Sequence, residues 1–188
     1  MRVAVLLSGR GTNLRAIIDA AQRDLPVDLV LALADRQCAG VELARQAGVH
    51  TAVVARSEFS SRSDFERALG THLVTAKPDL IVLAGFMRVL SGEFVARWEG
   101  RIINIHPSLL PKYPGLDTHA RALAAGDTEH GATVHFVTAE LDAGPAIAQA
   151  RMPVLLGDTA ESLAERLLPL EHRLLVDAIR TLARNSAG

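Results

Sequence analysis

Asn104-Ile105-His106 sets an amide and an imidazole two residues apart. Alternate residues of an extended strand project to the same side, so both side chains face one space. That pair suits the attack of an amine on a carbonyl carbon. Negative charge grows on the carbonyl oxygen, to which Asn104 can donate a hydrogen bond, and the leaving nitrogen needs a proton that His106 can supply while sharing in the donation. The same two residues would serve equally well as ordinary polar caps of a strand end. Asp142 stands in the apolar-flanked turn Leu141-Asp142-Ala143-Gly144-Pro145. A carboxylate beside an imidazole favours the charged ring, but an Asp here is also a plain turn former.

A second candidate is Ser8-Gly9-Arg10-Gly11-Thr12-Asn13, a turn between an apolar run and an amphipathic stretch, with Asn13 placed to cap the helix that follows. Free N–H groups and the positive end of a helix dipole receive phosphate well. The turn lacks the Gly-Lys-Ser/Thr ending of a Walker A loop and the third glycine of a dinucleotide fingerprint, so a phosphate site and a simple tight turn stand as equals. The remaining histidines predict no metal. His50 and His72 sit in surface-like settings, and no His-x-x-x-His pair exists. His119, His130 and His135 cluster only loosely, and His172 follows Glu171 in a helix.

Short aliphatic runs alternating with helical patterns must position these groups. Val3–Leu7, Val27–Ala34, Thr51–Val54, Leu80–Ala84 and Arg101–Ile105 read as strands, and Leu14–Gln22, Val41–Ala47 and Gly92–Trp98 as helices. Ser63-Asp64-Phe65-Glu66 has capping-box spacing and opens a helix that Lys77-Pro78-Asp79 closes. Such alternation builds βαβ units and a parallel sheet, with ligands gathering beyond the carboxyl ends of the strands. Asn104 and His106 stand at such an end. Pro107, Pro111 and Pro114 then exclude regular structure and shape a rigid loop. Gly131–Val137 and Ala146–Val154 read as an antiparallel strand pair, and a last helix from Thr159 to Ala183 is interrupted at Pro169. The fold class expected is therefore α/β, a Rossmann-like open and mostly parallel sheet flanked by helices, with an antiparallel C-terminal strand extension.

The chain has 188 residues, 49% of them hydrophobic and 22% charged, which fits one ordinary domain spanning 1–188. With 20 Lys and Arg against 21 Asp and Glu, nothing steers it toward nucleic acid. Cys38 stands alone, so a reducing compartment, the cytoplasm, is the expected location. The first apolar run is too short for a signal sequence or a membrane span.

The run from Asn104 to Leu116, Asn-Ile-His-Pro-Ser-Leu-Leu-Pro-Lys-Tyr-Pro-Gly-Leu, resembles the signature of the glycinamide ribonucleotide formyltransferase family. The resemblance extends to Ser8–Asn13, to Leu83-Ala84-Gly85-Phe86-Met87-Arg88-Val89-Leu90 and to Leu141–Pro145, all in the family's order. It implies transfer of a formyl group from 10-formyltetrahydrofolate, a cosubstrate, to the amine of 5'-phosphoribosylglycinamide in purine synthesis, without a metal. It implies a catalytic trio of Asn104, His106 and Asp142. It also implies that Gly11, Thr12 and Asn13 hold the substrate phosphate, with Glu171 near the ribose. The folate would lie against Met87, Arg88, Val89 and Leu90, with Arg62 at its outer end. Glu140, Asp142 and Asn104 would stand about its pterin and formyl group.

Three features depart from the family pattern. Thr12 replaces a usual Ser and keeps the hydroxyl. Leu168-Pro169-Leu170 replaces a Gln-rich stretch before Glu171, and the chain stops soon after its last helix where many relatives continue. Related formyltransferases acting on methionyl-tRNA or amino sugars typically carry an Arg-Gly pair after the proline loop, where Tyr113-Pro114-Gly115-Leu116 stands here. A formyltetrahydrofolate hydrolase usually adds an N-terminal regulatory domain, whereas Met1 here leads directly into the first strand. A noncatalytic ligand-binding module would have no need of the trio. The expected partners are small molecules, with no nucleic acid or membrane; oligomeric state is open, a homodimer included.

Overall fold

The computed structural model describes residues 1–186. Seven strands form one sheet: β1 (Arg2–Leu7), β2 (Asp28–Ala34), β3 (Thr51–Val53), β4 (Leu80–Leu83), β5 (Ile102–His106), β6 (Glu129–Phe136) and β7 (Ala146–Pro153). Their order is β3-β2-β1-β4-β5-β6-β7. The first five pair in parallel, β6 runs antiparallel to β5, and β7 antiparallel to β6. The open, mostly parallel sheet with an antiparallel extension is the expected class.

Six helices cover it: α1 (Thr12–Ala21), α2 (Ala39–Gln46), α3 (Arg62–Ala76), α4 (Gly92–Arg97), α5 (Thr118–Ala124) and α6 (Ala160–Asn185). The period of two along β1 divides the core. Val3, Val5 and Leu7 join the apolar cluster that includes α1, α2 and α6, while Ala4 and Leu6 join the one that includes α3 and α4. In α3, Phe65, Leu69 and Leu73 recur every four residues and are buried, each contributing about 1.5–3 kcal/mol by leaving water.

From β1 the chain runs outward through β2 and β3, then returns to place β4 on β1's other side. That reversal opens a crevice at the carboxyl ends of β1 and β4. The turn after β1 and the segment after β4 meet there, Ser8 N–H donating to the Gly85 carbonyl at 3.1 Å.

Four local expectations change. The N-cap of α1 is Gly11, not Asn13: its φ of 76° is left-handed, and an added Cβ would lie 2.7 Å from Gly40 Cα. The turn after β1 and the first turn of α2 approach too closely for a side chain, and only glycine takes that conformation without strain. The N-cap of α3 is Ser61, whose hydroxyl accepts from Asp64 N–H, not Ser63. Ser61 and Ser63 both precede acidic residues at near-equal spacing, and Glu66 is engaged elsewhere. α6 passes through Pro169 without interruption. It is anchored at its start by a capping box of Thr159 and Ser162 and packed along the apolar core, so burial outweighs the one lost backbone bond. Finally, α5 was not expected, because seven residues following a proline-rich loop carry too little periodicity to stand out.

Candidate active site

β5 delivers Asn104 and His106 to its carboxyl end, and β6 sets His135 directly across from Asn104 and Thr133 across from His106. Asp142 comes from the β6–β7 connection, in left-handed backbone at φ 52°. Two residues on, an added Cβ at Gly144 would lie 1.8 Å from the Phe136 carbonyl oxygen, so only glycine lets this turn fold back on the strand.

The expected trio converges. His106 Nδ1 lies 3.5 Å from Asp142 Oδ2, with both side chains more than nine-tenths buried. The other ring nitrogen, Nε2, donates to the Tyr113 carbonyl at 2.9 Å. A protonated His106 therefore has an acceptor for each N–H. The Gly115 N–H donates to the same Asp142 oxygen at 2.8 Å, tying the proline loop to the turn. Burial pushes the Asp142 carboxyl up, but the approach of His135, the Gly115 N–H and the His106 charge outweigh it and hold the group below the ordinary carboxylate range.

His135 is a further member of the site. Its Nδ1 donates to the Phe136 carbonyl at 2.9 Å, and its Nε2 lies 3.3 Å from Asn104 Nδ2. Asp142 Oδ1 lies 3.6 Å from the same Nε2. The amide of Asn104 is oriented by this contact, and its second N–H stays available for a ligand. The sequence grouped His135 with His119 and His130; the structure separates them. His119 Nδ1 and His130 Nε2 are 2.9 Å apart, and burial pushes His130 down to about 4. The strand register that pairs His135 with Asn104 has no local sequence signal. The proline loop is fixed by Thr133, whose hydroxyl donates to the Ser108 carbonyl at 2.7 Å and accepts from Leu110 N–H at 3.1 Å.

At the start of α1 the first helical bond runs from Arg15 N–H to the Gly11 carbonyl, at 2.8 Å. The N–H groups of Thr12, Asn13 and Leu14 lie ahead of it and face outward from the helix end. Asn13 Nδ2 donates to Glu171 Oε2 at 3.4 Å, joining α1 to α6. Asn13 is buried, and among the described residues its Oδ1 has no partner. Burial raises the Glu171 carboxyl above the ordinary range, with the Asn13 amide offsetting only part of the rise. The consecutive Gly11, Thr12 and Asn13 thus share one place with Glu171, which comes from far down the chain. A groove of about 420 Å³ continues from Thr12 between α1 and α6, past Arg15 and Arg173.

Arg62, Met87, Arg88 and Val89 line a cavity of about 250 Å³ with Arg56, Phe65 and Glu66. Met87 and Val89 expose more than half their surface, apolar area that a flat ligand can cover. Leu90 is buried in the core beside α4, so its side chain anchors this wall and does not face the cavity. Glu140 is exposed on the connection before Asp142, where Ala139 approaches the start of α4. β4 pairs with β5 through Leu83 and Asn104, so the wall leaves the sheet beside the trio. Among the described residues no group of three or more His, Cys, Asp or Glu is arranged to hold a metal ion, and no helix is long and apolar enough to cross a membrane.

The sequence matches the formyl transferase family over residues 1–179. The chain belongs to this family. Among relatives of this formyl transferase, the phosphoribosylglycinamide formyltransferase of Escherichia coli K12 is 49% identical over 176 residues, covering 93% of this chain and 83% of that protein. The fold is similar to that of glycinamide ribonucleotide transformylase 1 from Symbiobacterium toebii, with a TM-score of 0.95, 44% identity, and 98% of this chain and 88% of that one covered. It is also similar to phosphoribosylglycinamide formyltransferase from Brucella melitensis, with a TM-score of 0.92, 50% identity, and 97% and 95% covered. In a formyl transferase the convergence of an amide, an imidazole and a buried carboxylate is the arrangement that acyl transfer to an amine requires.

Proposed function

We infer that this formyl transferase moves the formyl group of 10-formyltetrahydrofolate onto the glycinamide amine of 5'-phosphoribosylglycinamide, releasing tetrahydrofolate in purine biosynthesis. The observation that carries the inference is the approach of Asp142 to His106 beside Asn104, at the end of β5. The names of the most similar relatives agree with it.

The acceptor amine attacks the formyl carbon, a C–N bond forms, and the carbonyl electrons move onto oxygen. Asn104 Nδ2 donates to that oxygen, and protonated His106 joins it with the Nε2–H that it gives to the Tyr113 carbonyl in the unliganded site. Collapse restores the carbonyl and breaks the bond to N10 of the folate. His106 gives its proton to N10 and regains one from the attacking amine, while Asp142 balances the imidazolium charge. Thr12, Asn13 and the open end of α1 hold the phosphate, with Gly11 allowing the close approach. The Glu171 carboxylate, held by the Asn13 amide, accepts from a sugar hydroxyl. The folate lies against Met87, Arg88, Val89 and the backbone of Leu90, reaches Arg62 with its acidic end, and meets Glu140 and Asp142 at its other end. Residues 1–188 act as one catalytic domain in the cytoplasm. Its partners are small molecules, neither nucleic acid nor membrane, with a homodimer as the assembly to test by sedimentation.

Incubation with both substrates tests this. Tetrahydrofolate should form only when the ribonucleotide amine is present. Equal release of formate without the amine would make the protein a hydrolase instead.

A further inference from the structure

The wall of the folate cavity, from Ala84 to Leu90, forms neither helix nor strand, yet it must keep its shape if a flat ligand is to lie against it. Buried carboxylates hold both ends. At the far end Glu66 of α3 accepts from the Ser91 N–H at 2.7 Å, from the Ser91 hydroxyl in a very short hydrogen bond, and from Arg62. Glu66 itself lines the cavity.

The near end depends on Asp35, the residue just after β2, which does not line the cavity. Its side chain is fully buried, and Oδ2 accepts from Arg88 Nε at 2.5 Å. Arg36 adds two longer contacts of 3.3 Å each. The Ser8 hydroxyl accepts from the Met87 N–H at 2.8 Å, and Ser8 N–H donates to the Gly85 carbonyl. Arg88 is thereby fixed by Asp35, and two earlier residues of the wall, Met87 and Gly85, by Ser8. The Arg88 side chain is 38% exposed, so it can be solvated when released, and nothing else fixes its guanidinium among the described residues.

We propose that Asp35 is a positioning residue for the formyl donor: through its buried ion pair with Arg88 it sets the conformation of the wall that receives the folate. The proposal rests on the folate reading of this cavity and deepens it. Removing the charge frees Arg88, so donor binding weakens, whereas the trio at β5 and the start of α1 keep their own hydrogen bonds. A residue serving only stability would instead lower the apparent kcat with the fraction folded and leave both KM values and the tetrahydrofolate Kd unchanged.

The test is the near-isosteric Asp35→Asn, assayed well below its Tm. The donor KM and the Kd for tetrahydrofolate should each rise about tenfold or more, as expected for loss of a charge-assisted hydrogen bond, while kcat and the ribonucleotide KM stay within about threefold. Arg88→Met should weaken donor binding similarly, and the double variant should add little further, because both changes break one interaction. If Asp35→Asn does not fold, Ser8→Ala removes the Met87 acceptor with the ion pair intact and should give a smaller loss of the same donor-selective kind. Unchanged tetrahydrofolate affinity, a fall in kcat with the donor KM unchanged, or an equal rise in both KM values would overturn the proposal. Tetrahydrofolate titration needs no amine, so it judges Asp35 even if another acceptor proves to be the substrate.

Discussion

Glu171 carries a cost that its position explains. Burial raises its carboxyl above the ordinary range, so the charged form is disfavoured in the folded chain. A raised carboxyl pKa contributes stability at low pH and loses it as pH climbs from the unfolded value, about 4.3, through the folded one. Glu171→Gln should therefore raise Tm at pH 8, with less gain at pH 4, while the ribonucleotide KM increases about tenfold for want of a charged acceptor. Melts across pH and steady-state kinetics check both halves. Residue types alone pointed to Asn104 and His106, because alternate strand positions must share a side. His135 was harder to single out. Its importance depends on the register that places it opposite Asn104, and on the carbonyl of Phe136 engaging Nδ1 so that Nε2 faces Asn104 and Asp142.

Among the elements, the parallel strands were plain because continuous aliphatic runs such as Leu80-Ile81-Val82-Leu83 are buried on both faces. Helix starts were less so: Ser61 and Ser63 compete for one capping role, and Gly11 rather than Asn13 caps α1 because the turn after β1 touches the first turn of α2. The β6–β7 connection shows why such backbone detail matters for chemistry. Asp142 reaches His106 only because the turn folds tightly over Phe136, and a methyl group at Gly144 would overlap that carbonyl. Gly144→Ala should lower Tm by about 5 °C or more, as overpacking of a rigid site does. Activity should fall further than stability, since Asp142 moves with the turn. Comparing calorimetric Tm with kcat at a temperature where the variant is fully folded separates the two effects.

For the molecule as a whole, the order β3-β2-β1-β4-β5-β6-β7 brings the three segments proposed to hold the ligands to one edge: the turn after β1, the wall after β4 and the residues at the end of β5. The antiparallel strands then return Asp142 to that edge from nearly forty residues downstream. Alternating strands and helices made this architecture legible, and the resemblance of Asn104–Leu116 to a known signature carried the chemistry; which side chains meet was settled by packing across the sheet. Asp142→Asn tests that meeting most directly. It keeps the side chain's size and its acceptor for the Gly115 N–H, but removes the charge facing His106. If the trio acts as one unit, kcat should fall about a thousandfold while the dissociation constants for tetrahydrofolate and the ribonucleotide change less than about tenfold. A variant that turns over within about fivefold of the wild type, with both ligands still bound, would contradict the account.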